Sequence, residues 1–279
     1  MTTYSTAKPQ FIEVGGTRYA YLRFGSTTKT DIPLVFLQHF RGTFDHWDPE
    51  LIDPIAAERE VILIETQGSE RAGGRFPQPT LAMNIPQIDL LGFSMGGLAA
   101  QMVALNAPPS LVRRLILAGT TPSFGEGLGT PDPTATPRLA AAANEEEAHD
   151  AFLRTFYSLT KKKQELGEKW WNRMTAARPD RSPYVGPGGT KAQLDAVVRW
   201  FTPEFASEGS YHRLHEITIP VLVANGYNDI IIPTVNSYVL FQRLVNADAH
   251  LHFFPDVGHG FLNEYADQFS KLINIFLDA

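Results

Sequence analysis

The sequence predicts an α/β fold, a mostly parallel central sheet with helices on both faces. Three observations lead there. Five short apolar runs, Leu34–Leu37, Val61–Ile64, Ile88–Phe93, Leu115–Ala118 and Val221–Ala224, show little alternation, as expected of strands buried on both sides. Stretches with helical spacing lie between several of them. A G-x-S-x-G pattern closes the third run just where a helix begins, at Gly92-Phe93-Ser94-Met95-Gly96.

Taken in order, Phe11–Val14 and Tyr19–Phe24 read as two strands joined across Gly15-Gly16, because a two-residue hairpin turn favours residues that tolerate positive φ. Helices are expected at Pro54–Arg59, Gly97–Asn106 and Pro233–Val245. Leu251–Phe254 reads as a strand nearer an edge, since His252 interrupts it. The closing helix spans Phe261–Leu277, with Leu262, Tyr265, Phe269, Leu272 and Phe276 on one buried face.

About a hundred residues between Leu117 and Val221 contain no convincing strand. Residues 121–138, rich in Gly and Pro, read as a loop, and Ala140–Ala143 as a lead into a helix. Helices are expected at Glu145–Ser158, Lys162–Ala177 and Lys191–Phe201. Such an excursion most simply caps the carboxyl edge of the sheet. The expected organisation is a core of 1–120 and 213–279 with a helical cap at 121–212. Phe152, Phe156, Tyr157, Trp170, Trp171, Trp200 and Phe201 would build mostly the cap's own core, leaving one apolar face for what it covers.

Composition narrows the function. The 279 residues fit one large domain, or one core with an insertion. With no cysteine, thiol nucleophiles, zinc thiolates, iron–sulfur clusters and disulfides are all excluded. Lys plus Arg is 24 against 30 Asp plus Glu, a net charge of -6, which supplies no basic patch for nucleic acid. No run reaches the ~18 apolar residues of a membrane span, and Met1–Lys8 has no apolar signal core. A soluble, cytoplasmic protein is expected.

The chemistry centres on Ser94. A sharp strand-to-helix turn crowds the backbone, and Gly92 and Gly96 remove the side chains that would collide. The serine then stands at the strand's carboxyl end, over a helix N-terminus that favours negative charge. The alternative is a helix-capping serine. A nucleophilic serine needs a base, and the base an orienting acid. Asp229 follows the strand Val221–Ala224, and its alternative is a turn aspartate. His259 follows Leu251–Phe254 between Gly258 and Gly260, and its alternative is an ordinary loop histidine. Asp256 is the competing acid. His212 and His215, three apart, show no third metal ligand, and His46, His149, His250 and His252 lie in no motif. Acyl transfer also needs two donors for the oxyanion: the Met95 N–H, and one from the loop Gln38-His39-Phe40-Arg41-Gly42.

With these pieces in this order, the chain resembles the α/β-hydrolase fold serine hydrolases, their esterase, lactonase and haloperoxidase-like branch. The likeness spans nearly the whole chain. It implies Ser94 as nucleophile, His259 as general base and acid, Asp229 as its orienter, and the Phe40 and Met95 amides as oxyanion hole. The cap would follow the sixth strand. Serine at the elbow separates the chain from the dehalogenases and epoxide hydrolases, which use aspartate there.

Two departures stand out. Gln38-His39 replaces the usual His-Gly, which places His39 near the pocket; Arg41 either meets a substrate carboxylate or stays solvated. The usual D-x-x-G-x-G-x-S turn is Glu65-Thr66-Gln67-Gly68-Ser69-Glu70-Arg71-Ala72, and the crossover over 67–87 carries Pro77, Pro79 and Pro86. Its helix is therefore expected to be shortened or missing.

The resemblance implies a cofactor-independent, metal-free hydrolase for a small hydrophobic ester, lactone or thioester. Perhydrolase, carbon–carbon hydrolase or lyase chemistry on the same triad is the alternative, and a ligand-binding protein with little turnover is a third.

Overall fold

The computed structural model describes residues 2–65 and 82–279. The crossover read as shortened over 67–87 lies, up to residue 81, outside the described residues. Among the described residues the strands are β1 (Gln10–Val14), β2 (Thr17–Gly25), β3 (Leu34–Leu37), β4 (Glu60–Ile64), β5 (Ile88–Phe93), β6 (Val112–Ala118), β7 (Val221–Gly226) and β8 (Ala249–Phe254). They form one sheet in the order β1-β2-β4-β3-β5-β6-β7-β8. All five apolar runs lie in strands, and Leu251–Phe254 lies in the edge strand β8. The β1–β2 hairpin turns on Gly15 and Gly16 at φ 57° and 78°. The pairs β1–β2 and β2–β4 are antiparallel and all later neighbours are parallel.

The helices are α1 (Pro49–Glu58), α2 (Met95–Asn106), α3 (Ala135–Ala141), α4 (Glu145–Phe156), α5 (Lys161–Ala177), α6 (Pro187–Trp200), α7 (Thr234–Arg243), α8 (Phe261–Glu264) and α9 (Ala266–Asp278). Side chains alternate across the central strands. Leu34, Phe36, Leu63, Leu91 and Ile116 enter one core with Leu51 and Ile55 of α1 and Phe269 and Ile273 of α9. Val35, Leu37, Ile62, Leu90 and Leu115 enter the other with Val103 of α2 and Leu240 of α7. Each buried side chain of this size contributes about 1.5–3 kcal/mol, so both faces select apolar residues and alternation disappears.

Three sequence expectations are corrected. The first helix begins at Pro49, not Pro54, because the Asp48 carboxylate caps it by accepting from the Glu50 N–H at 2.9 Å. Residues 121–138 are not all loop. Helix α3 begins at Ala135, after Asp132 has accepted from the Thr134 N–H at 2.8 Å and turned the chain. The closing helix is broken at Tyr265 (φ -112°, ψ 33°), whose hydroxyl reaches back to the Pro255 carbonyl at 3.0 Å.

The strand order places the site. From β3 the chain moves outward to β4, then returns to β5 on the opposite side of β3. Loops leaving β3 and β5 therefore diverge, which opens a crevice at the carboxyl ends of the parallel strands. The inserted helices α3–α6 lie between β6 and β7 in sequence. Phe152, Phe156, Trp170, Trp171 and Met174 from this insertion belong to the same core cluster as Phe36 and Phe93. Among the described residues no helix is long and apolar enough to cross a membrane.

Candidate active site

Ser94 sits at the junction of β5 and α2 with φ 56° and ψ -120°, a left-handed conformation that costs a non-glycine residue of order 1–3 kcal/mol. The surroundings hold it there. Its N–H donates to the Ala118 carbonyl, and its own carbonyl accepts from the Gly97 N–H and the Thr120 hydroxyl, each at 2.9 Å. A Cβ on Gly92 would collide with the Gly96 carbonyl, and one on Gly96 with the Leu37 carbonyl. Both glycines are thus demanded by close backbone approach, as the motif suggested.

His259 follows β8, and its Nδ1 lies 2.6 Å from Asp229 Oδ2. The other carboxylate oxygen accepts from the N–H groups of Ile231 and Ile232 at 2.8 and 2.9 Å, so the acid cannot rotate freely. His259 and Asp229 are 1% and 6% exposed. Phe93 stacks on the imidazole at 4.9 Å and Phe156 meets it edge-on at 5.0 Å. With Nδ1 donating to a carboxylate, Nε2 is left as the basic nitrogen. The competing acid is placed elsewhere. Asp256 is held by Lys163 of α5, 3.3 Å away, and its side chain is 82% exposed. His212 stands edge-on to Tyr211 at 5.1 Å, and among the described residues no group of three or more potential ligands surrounds it.

The loop after β3 supplies His39 and Phe40 to the same crevice. His39 is buried against Phe93, Phe152 and Phe156. The Phe40 carbonyl accepts from its Nδ1 at 2.9 Å, which fixes the tautomer. Burial pushes the imidazole pKa down to about 4, with His259 adding a smaller push, so His39 is neutral at pH 7. Among the described residues no protein acceptor takes the N–H of Phe40 or of Met95.

Arg41 does not line the crevice. Its guanidinium donates to the carbonyls of Leu139, Ala142 and Val185 at 2.6, 2.8 and 3.1 Å, and the residue is 8% exposed. It is neither the solvated arginine nor the carboxylate contact expected from the sequence, because its donors are spent on the insertion.

These elements enclose a cavity of about 440 Å³, bordered by Ser94, Met95, His39, Phe40 and His259. The insertion contributes Leu139, Phe152, Phe156, Leu194, Val197 and Phe201, and the loop 128–131 closes one side. Of the aromatics expected to build the insertion's own core, Tyr157, Trp170, Trp171, Phe152 and Phe156 instead join a core shared with the sheet; Phe152 and Phe156 also line the cavity, as does Phe201, whereas Trp200 does neither. Among the described lining residues none is Lys, Arg, Asp or Glu. Sequence reasoning missed Thr120, which braces the Ser94 carbonyl, and Ile231, Ile232 and Asn236, which border the cavity after Asp229. Their only sequence signal is position: each follows a parallel strand's carboxyl end.

Comparison with known proteins agrees with this fold. A family model for the alpha/beta hydrolase fold matches residues 80–264. A 2-hydroxy-6-oxononadienedioate/2-hydroxy-6-oxononatrienedioate hydrolase of Klebsiella pneumoniae is 28% identical over 199 residues, 70% of this chain and 64% of that protein. A protein of the same name from Escherichia coli is 30% identical over 202 residues, with the same coverage. The chain thus spans about 64% of the length of these curated relatives. Among solved structures, an alpha/beta hydrolase fold protein from Chitinophaga pinensis is 31% identical, with a TM-score of 0.84 and 99% of both chains covered. Sheet order, strained serine elbow and sequence match point the same way, and the chain belongs to the alpha/beta hydrolase fold family.

Proposed function

We propose that the protein is a serine hydrolase acting on an uncharged ester, lactone or thioester with an apolar acyl or aryl part. The observation that carries the proposal is the convergence of a strained Ser94 and the 2.6 Å Asp229–His259 pair on one apolar cavity. In this reading His259 Nε2 takes the Ser94 hydroxyl proton as Oγ attacks the substrate carbonyl. The tetrahedral oxyanion is met by the Phe40 and Met95 amides. On its collapse the C–O or C–S bond to the leaving group breaks and His259 returns the proton to that group. Water, deprotonated by the same imidazole, then releases the acid and frees Ser94. Residues 121–212 act as the cap, and nucleophile, proton carrier and oxyanion donors all come from the chain itself.

The names of the curated relatives favour a second reading, carbon–carbon bond hydrolysis of a dicarboxylate. The cavity argues against it for this chain. A carboxylate buried without a cationic partner costs several kcal/mol, and no Lys or Arg is among the described lining residues. The test of the proposal is labelling with a fluorophosphonate probe, beside turnover of p-nitrophenyl butyrate, in wild type, Ser94→Ala and His259→Ala. Labelling at Ser94 that is lost in both variants, together with turnover, is expected. A folded wild type that is neither labelled nor active would sink the proposal.

A further inference from the structure

The most unusual side chain outside the Ser94–His259–Asp229 set is Arg41. It directly follows Phe40, whose amide is one of the two donors in the proposed function, and its own φ is 62°, left-handed without being glycine. All five of its polar contacts go to the inserted helices or to the segment between them. The Arg41 N–H donates to Gln193 Oε1 of α6 at 2.8 Å, and its carbonyl accepts from the Val185 N–H at 2.9 Å. The guanidinium donates to Val185, Leu139 and Ala142 carbonyls, the last two at the C-terminal end of α3 where the helix dipole is negative.

No carboxylate among the described residues forms an ion pair with it. A buried cation held only by carbonyl dipoles is an expensive way to pin a loop, and burial lowers its pKa accordingly. A hydrophobic contact would pin it as well. What the arginine adds is direction, because a planar fork meets three carbonyls at once and fixes where the peptide before it points. The peptide before it carries the Phe40 carbonyl. The donor amide of Phe40 sits one residue further back, between that peptide and His39, whose ring is itself tied to the Phe40 carbonyl.

We infer that Arg41 is a positioning residue that couples the inserted helices to the oxyanion site: the Phe40 N–H is aimed correctly only when Arg41 and Gln193 are engaged. The inference rests on the proposed hydrolase function. It assigns the insertion a role in transition-state stabilisation besides covering the cavity. Binding of a ground-state substrate needs the cavity walls but not the aimed amide, so the coupling acts on kcat more than on KM.

The test measures p-nitrophenyl butyrate kinetics and inhibition by an alkyl trifluoromethyl ketone, whose adduct on Ser94 places an oxyanion in the same position. Variants are Arg41→Met, Arg41→Lys, Gln193→Ala and Gln193→Glu, each checked for folding by thermal melting. Removing an oxyanion donor outright costs ~10²–10³ in kcat, and a misaimed one is expected to cost about ten- to a hundred-fold in Arg41→Met. Its Ki for the ketone should rise by the same factor while KM changes less than about threefold. Gln193→Ala should move both quantities in the same direction by less, with Gln193→Glu restoring them because it keeps the acceptor. Arg41→Lys keeps charge without the fork and should fall between wild type and Arg41→Met.

Mere destabilisation lowers the active fraction, and hence kcat, but leaves Ki unchanged in the molecules that remain folded. Unchanged Ki in folded Arg41→Met and Gln193→Ala, with an active wild type, overturns this inference alone. A wild type that neither turns over ester nor reacts with a fluorophosphonate overturns the functional proposal and this inference with it.

Discussion

Replacing Asp229 by Asn separates this site from a looser grouping of the same residues. Asp229 Oδ1 is held by the two amides of Ile231 and Ile232, and both need an acceptor. In the Asp229→Asn variant the side-chain oxygen must therefore keep that position, which turns the new NH2 group towards His259 Nδ1. A donor facing Nδ1 forces the imidazole proton onto Nε2, the nitrogen that has to accept the Ser94 proton. The geometry survives and the base is lost. The same inversion in a serine-protease triad costs about 10⁴ in kcat, equivalent to ~5.4 kcal/mol at 1.36 kcal/mol per tenfold. The assay is kcat for p-nitrophenyl butyrate at pH 7.5 with thermal melting as a folding check. Asp256→Asn is the companion variant: its carboxylate is 82% exposed beside Lys163, and kcat should stay within about twofold. A folded Asp229→Asn protein that keeps more than about a tenth of wild-type kcat would refute the assignment. So would an equal loss in Asp256→Asn.

Two further outcomes follow from burial and charge. His39 has a folded-state pKa of about 4, below its ordinary 6.5, so the unfolded chain binds that proton first. The stability it contributes as a neutral group is present above pH 6.5 and is lost as pH falls towards 4. Wild type should lose about 3 kcal/mol more between pH 7 and pH 4 than His39→Phe, by urea denaturation at each pH, and parallel profiles would contradict the buried neutral imidazole. In the second, p-nitrophenyl pentanoate should exceed the p-nitrophenyl monoester of succinic acid in kcat/KM by about 10² or more. An unpaired carboxylate costs several kcal/mol in a cavity whose described lining includes no Lys or Arg, and equal turnover would mean that a cation reaches the acyl group.

What could be read from the sequence was what local sterics decide. Unbroken apolar runs identified the strands because parallel strands are covered on both faces. Ser94 was legible because its neighbours Gly92 and Gly96 leave no room for a Cβ against backbone carbonyls. Asp229 and His259 each follow a strand end within a few residues, and topology brings those ends to one edge. The misreadings share a different cause. Pro54 looked like a helix start because proline favours the first turn, yet the cap at Asp48 outweighed it. The stretch 121–138 is mostly irregular, as its Gly and Pro content indicates, but composition says nothing of what an irregular segment touches, and Leu128–Pro131 form a wall of the cavity.

Arg41 is the clearest case. Its partners lie 98 to 152 residues away, and three of its four side-chain and backbone acceptors are main-chain carbonyls. A carbonyl is present at every residue, so no side-chain pattern could have announced them. The one readable sign was its place, a long charged side chain in the loop that supplies an oxyanion donor in the proposed function. Place alone permits three fates: solvent, substrate or the protein's own backbone. Folding settles which, since only the approach of the C-terminal end of α3 and of Val185, just before α6, creates a set of acceptors matched to the guanidinium. The serine site is therefore encoded in short motifs that each strand end carries for itself, whereas its connection to the insertion exists only once distant segments have met. On the proposed coupling, substitutions within α3 or α6 alter catalysis while leaving every recognisable motif intact.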